Sequence, residues 1–80
     1  MGKCLIDNNI RKLRFHHDEM TQQQLAEKVS VTRQTIVAIE KGKYSPSLEL
    51  AFRIATVFNQ PLESVFIYHG KSEKHKEEQI

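Results

Sequence analysis

Residues 21–42 read TQQQLAEKVSVTRQTIVAIEKG, and this stretch restricts the fold more than any other, because two amphipathic runs stand too close together to fold apart. Leu25, Ala26 and Val29 fall on one helical face of the first run. Ile36 and Ile39 do the same in the second, with Val31 in the connection. Each run opens on a hydroxyl able to accept an orphan backbone N–H: Thr21, followed three residues on by Gln24 as a capping box, and Thr32. Gly42 closes the second helix. A connection this short, around Ser30, Val31 and Thr32, leaves two small helices at a steep angle with one buried seam between them.

That arrangement is a helix-turn-helix, and its residues resemble the DNA-reading unit of the phage repressor and Cro family, also called XRE-type regulators. Gln22 opens the first helix, Ala26 stands where the helices pass closest, and Val29 and Val31 flank the turn. Ile36 and Ile39, then Glu40 and Gly42, complete the match, and the resemblance runs through roughly residues 9–66. It implies an all-α, five-helix repressor-like DNA-binding domain, to which some members add a small terminal antiparallel β-sheet. The chain departs from the family at Ser30, where glycine is usual in a turn that often needs a positive φ. A non-glycine residue there costs on the order of 1 kcal/mol.

Eighty residues make one domain with a modest core, so a second copy of the chain is a natural source of further apolar burial. The formal charge of +2, from 12 basic and 10 acidic residues, does not by itself announce a nucleic-acid partner, and local placement has to carry that argument. Cys4 is the only cysteine, which excludes an internal disulfide framework and a C-x-x-C pair, and reads as a cytosolic thiol. With no long apolar run and no signal-peptide pattern, no membrane partner is expected and the chain is expected in the cytoplasm. Neither a Ser-His-Asp grouping nor a glycine-rich phosphate loop nor paired carboxylates stand at a plausible site, so an enzyme is not expected, nor a cofactor or small-molecule ligand. His16, His17, Asp18 and Glu19 make a poor metal site, since neighbouring positions on a helix point apart and no second ligand cluster follows.

Taken from the start, KCLID at residues 3–7 reads as a frayed end or a short strand. A first helix begins at Asn8 or Asn9, either of which can cap it, places Ile10 and Leu13 on one face and ends near His17. Arg11, Lys12 and Arg14 make it basic, which for the first two reads equally as a solvated face. By resemblance, Arg14 pairs with Glu40 and ties the first helix to the third, a common use of a fork-shaped cation. Met20, just before the Thr21 cap, is expected to plug the core.

The expected DNA surface follows from the helix-turn-helix. Arg33, Gln34 and Thr35 come directly after the Thr32 cap and would enter the major groove first, Arg33 matching the O6 and N7 edge of guanine and Gln34 an adenine edge. Val37 and Ala38, one turn later, either meet thymine methyl groups or simply leave the groove unblocked. Gln22, at a helix start, can reach a phosphate or brace a neighbour. In the family the loop after Gly42 lies along the DNA backbone. Lys43 and Lys41, with Lys28, then supply charge, and Tyr44, Ser45, Ser47 and Thr32 supply hydroxyls to phosphates, although Tyr44 could instead pack on the fourth helix.

Residues 48–58 read as a core helix carrying Leu50, Ala51, Ile54, Ala55 and Phe58, with Leu48 and Val57 extending its apolar face and Asn59 as a left-handed stop. Pro61 opens a short fifth helix, LESVF. Phe66, Ile67 and Tyr68 then continue the apolar run with β propensity rather than helical spacing. They need a partner. Compact dimeric members of the family self-associate through the fifth helix, which implies that Leu62, Val65 and Phe66 meet across a twofold axis, with Phe66, Ile67 and Tyr68 pairing beside Cys4, Leu5 and Ile6. The alternative is that this segment folds back over its own core. Residues 1–69 are thus expected to form the DNA-binding and dimerisation domain, and residues 70–80, GKSEKHKEEQI, a charged, disordered or frayed tail.

The function so implied is a homodimeric regulator of double-stranded DNA, most simply a repressor reading two half-sites roughly 34 Å apart. An antitoxin or restriction-controller role stays open within that class. A protein-interaction adaptor that keeps the fold without reading DNA is the alternative, against which Arg33, Gln34 and Lys43 argue.

Overall fold

Helix ends in this chain are set by the residues that can adopt a left-handed backbone, and three of its helices stop in the same way. The computed structural model describes residues 6–69 and contains β1 (Ile6–Asn8), α1 (Ile10–Phe15), α2 (Gln22–Lys28), α3 (Arg33–Glu40), α4 (Leu48–Val57), α5 (Leu62–Val65) and β2 (Phe66–Tyr68). After α2, α3 and α4 come Ser30, Gly42 and Asn59 with φ of 63°, 76° and 55°. In each case that residue and the next donate their N–H groups back to carbonyls of the last turn: Ser30 to Glu27 and Val31 to Ala26, Gly42 to Ile39 and Lys43 to Ala38, Asn59 to Thr56 and Gln60 to Ala55. The orphan carbonyls are thereby satisfied and the chain turns sharply.

The starts are equally local. Thr21 and Gln24 form the full reciprocal capping box, while Thr32 Oγ1 and Ser47 Oγ accept the N–H groups of Thr35 and Leu50. Pro61 occupies the N-cap of α5 rather than its first helical position. α1 ends at Phe15, two residues before the expected His17, and Asp18 and Glu19, both at positive φ, carry the chain round to Met20.

The core lies where these helices converge. Ile10, Met20, Leu25, Ala26, Val29, Ile36, Ile39, Leu50, Ile54, Ala55, Phe58 and Val65 are buried together. Val57, Leu62 and Phe66 pack half-buried against them. Leu48, by contrast, is 67% exposed and does not extend the core, because it occupies the first position of α4, where the helix has not yet reached its neighbours. Arg53 bolts α4 to the turn, donating from Nη1 to the carbonyl of Val29 at 3.3 Å.

The expected terminal sheet forms within the one chain. β1 and β2 are antiparallel, with Ile6 opposite Tyr68, Asp7 opposite Ile67 and Asn8 opposite Phe66. The strand thus reaches Asn8 rather than ending at Ile6, and Cys4 and Leu5, like the tail at residues 70–80, lie outside the described residues. Two asparagines hold the sheet to the helices. Asn9 donates its backbone N–H to the carbonyl of Val65 at 2.8 Å and its side-chain amide to that of Ser64 at 3.1 Å. Asn8 accepts the N–H of Ile10 on Oδ1 at 3.1 Å and donates from Nδ2 to the carbonyl of Ile39, at the end of α3, at 2.9 Å. The asparagine that satisfies the start of α1 is therefore Asn8, one residue earlier than the helix boundary suggests.

Candidate nucleic-acid interface

α3 is held from behind and left bare in front. Ile36 and Ile39 are buried under it. At about 100° per residue, Gln34, Ala38 and Lys41 line the opposite side, with Arg33 and Val37 on one flank and Thr35 on the other. Arg33 and Gln34 are exposed, whereas Thr35, Val37 and Ala38 are half-buried. Thr35 is drawn in because both its N–H and its hydroxyl engage Thr32, the hydroxyl pair lying 3.1 Å apart. A hydroxyl that accepts a cap still has its own proton to donate outward, which holds for Ser47, while at Thr32 and Thr35 one of the two hydroxyls donates to the other and the pair keeps one proton to give outward.

The orientation of α3 is fixed by a charged cluster on its inner flank. Arg14 of α1 grips Glu40 with two parallel bonds, Nε to Oε2 at 2.7 Å and Nη2 to Oε1 at 3.0 Å, and spends a third on the carbonyl of Met20 at 2.8 Å. Both side chains are largely buried, at 14% and 9% exposure. Gln22 joins from α2, donating Nε2 to Glu40 Oε1 at 3.2 Å. Of the two uses foreseen for Gln22, bracing a neighbour is the one seen. A bidentate arginine with its carboxylate further bonded is a rigid joint, so α1, α2 and α3 meet in one fixed relation.

The remaining positions are not all brought to one place. Lys41, Gln22 and Val37 share a groove that also takes in Arg11 and Arg14. Lys43, Tyr44 and Ser45 are exposed on the loop between α3 and α4, just ahead of the Ser47 cap. Lys28 stands apart, at the end of α2, lining a hollow with His17, Asp18 and Glu27 and forming an ion pair with neither carboxylate. Val65 is fully buried in its own chain and therefore has no surface to offer a second copy: it belongs to the core cluster, and its carbonyl is bonded by the backbone N–H of Asn9. Leu62 and Phe66 remain half-exposed, and Ile67 and Tyr68 are exposed on β2. With Ile6, Pro46, Leu48 and Ala51, Leu62 and Phe66 line an apolar groove of about 270 Å³. Sequence reasoning missed the two asparagine clasps and the turn of Arg11 toward the groove, for neither of which a local signal exists. Nor does any local signal announce that His17, in the turn after α1, meets the ring of Phe58 edge-on at 5.6 Å.

A capped helix with a bare polar outer face, braced at a steep angle by a second helix, defines the class as a helix-turn-helix domain. A family model described as helix-turn-helix matches residues 10–65. A protein of Methanocaldococcus jannaschii described as an uncharacterised HTH-type transcriptional regulator is 54% identical over 61 residues, covering 76% of this chain and 91% of its own. One of the same description from Archaeoglobus fulgidus is 56% identical over 59 residues, covering 74% and 83%. Among solved structures, a protein from Bacteroides fragilis matches with a TM-score of 0.66 at 23% identity, over 76% of this chain and 97% of that one, a likeness of fold alone. The chain belongs to the XRE-type helix-turn-helix family of transcriptional regulators and is not an enzyme. No helix among the described residues is long and apolar enough to cross a membrane.

Proposed function

We propose that the protein is a homodimeric repressor that reads a palindromic operator by laying α3 in the major groove of each half-site. The observation that carries this reading is the outer face of α3. Arg33 and Gln34 are exposed at its first turn, small or aliphatic Val37 and Ala38 follow, and the face is presented by a helix that Arg14 and Glu40 lock from behind. Arg33, Gln34, Thr35, Val37 and Ala38 are assigned to base edges. Gln22, Thr32, Lys28, Lys41, Lys43, Tyr44, Ser45 and Ser47 are assigned to the phosphates on either side.

The dimer surface is assigned to the apolar groove and its rim, with Leu62 and Phe66 in the groove and Ile67 and Tyr68 on the strand beside it. A domain of this size gains much from covering such a surface. Residues 1–69 would then be the complete DNA-binding and dimerisation unit. A cytoplasmic site of action accords with a promoter target.

The test is selection of duplexes from a random-sequence library by the purified protein, with affinities compared between wild type and Arg33→Ala. A palindromic consensus that relaxes at one base pair per half-site, with discrimination falling by about 1–3 kcal/mol there, is the expected result. Weak binding without any enriched sequence, abolished at moderate salt, would refute it.

A further inference from the structure

On sequence alone Arg11 is a cation on a helix surface. In the folded chain it lines a groove of about 620 Å³ bounded by α1, the entry to α2 and the outer flank of α3. Thr21 and Gln22 form one end of the groove, and Val37 and Lys41 belong to its α3 side. Arg14 and Glu40 are also in its lining but neutralise each other through their bidentate bond, which leaves Arg14 without charge to spare. Arg11 and Lys41 have no such partner: the side chain of neither makes a hydrogen bond or ion pair with any described residue. Against these two cations stands one further carboxylate, Glu19. The groove is thus a polar cleft with two unspent cations on opposite walls, opening beside Val37 and the helix face assigned to the bases.

We propose that Arg11 and Lys41 together hold one phosphodiester of the bound DNA over this groove, so that α1 belongs to the DNA-binding surface. The inference rests on the DNA-reading function proposed above and adds an anchor to it from a different helix. A guanidinium is suited to the task, since its planar donors match two phosphate oxygens at once, while the lysine contributes a point charge from the other side. Such a contact carries no sequence information. It fixes how far α3 can rock about its own axis in the major groove, because one end of the grip is on α3 and the other is on the helix that Arg14 ties to it.

The experiment uses full-length protein and the duplexes that wild type selects from a random-sequence library, titrated over a range of salt concentrations. For Arg11→Gln the plot of log affinity against log salt is expected to become shallower by about 0.9 for each chain bound, which at 0.1 M salt is about an eightfold loss per chain. The selected consensus and the melting temperature are expected to stay as in wild type, since Arg11 has no protein partner to lose. Arg11→Lys should retain most of the slope. Lys12→Gln makes the same change in net charge one residue away, outside the groove, and should leave the slope unaltered. An unchanged slope for Arg11→Gln, or an equal change for Lys12→Gln, overturns the proposal while leaving the DNA-reading function intact. If wild type binds no duplex at all, both fall together.

Discussion

Replacing Ser30 by glycine should make this protein more stable, although it removes a side chain and adds nothing. Ser30 sits at φ 63° between α2 and α3, where a Cβ crowds the following carbonyl. That conformation costs an L-residue about 1–2 kcal/mol, whereas glycine adopts it without penalty. Glycine also gains freedom in the unfolded chain, which returns about 0.4–1 kcal/mol. The serine is exposed, and only its backbone N–H, bonded to Glu27 at 3.3 Å, is engaged, so no contact is lost. The difference is a net gain of about 0.5–1 kcal/mol, or a rise in melting temperature of about 2–8 °C for a domain of this size. Thermal unfolding followed by circular dichroism at one fixed protein concentration measures it, the concentration being held because association would shift the midpoint. Gly42→Ala is the mirror control. Gly42 has φ 76° with nothing near the added Cβ, so alanine should lower stability through backbone strain alone. A lower melting temperature for Ser30→Gly would refute the argument that backbone strain at this turn outweighs glycine's entropy.

Three further outcomes are expected. Glu40→Ala strands the largely buried Arg14 guanidinium and should cost about 3 kcal/mol in urea unfolding, and Arg14→Lys should recover little in its place, because an ammonium cannot replace two parallel bonds. Thr32→Ala removes the cap of α3 and should shift the urea midpoint by an amount worth about 1 kcal/mol, with the slope unchanged. Leu48→Asp places a carboxylate in the first turn of α4, where the helix dipole favours it, so the single chain should fold as well as before. Because a carboxylate buried in an apolar interface costs several kcal/mol, sedimentation velocity should show the dimer weakened by at least about a hundredfold. An undiminished dimer would move the interface away from the Leu48 groove.

The helix-turn-helix was legible in the sequence because everything that makes it is local. Thr21, Gln24 and Thr32 act on backbone within three residues of themselves, and Ser30, Gly42 and Asn59 act on the turn they stand in. The bond between Arg14 and Glu40 spans 26 residues and was reachable only through resemblance to a family. Asn8 reaching the carbonyl of Ile39 spans 31 residues, and no pattern announces it, since an asparagine ahead of a helix already has an adequate local reading as a cap. Helical periodicity assigns faces but not how far a neighbouring element extends, so Leu48 belongs to the apolar face of α4 as expected yet lies in an open groove rather than in the core, and Val65, the last residue of α5, is buried rather than available to a partner.

The pairing of β1 with β2 has a kinetic consequence. Its partners stand about sixty residues apart, so closing it costs the loop entropy of nearly the whole domain, whereas α2 and α3 meet across a turn. On that ground the sheet is expected to close late and to open early. With only three residues in each strand, its amides should exchange with solvent long before those of α2 and α3. Each such opening would also withdraw Asn8 from the carbonyl of Ile39, so that fluctuations where the two ends of the domain meet reach the last turn of α3 without any change in the turn between α2 and α3.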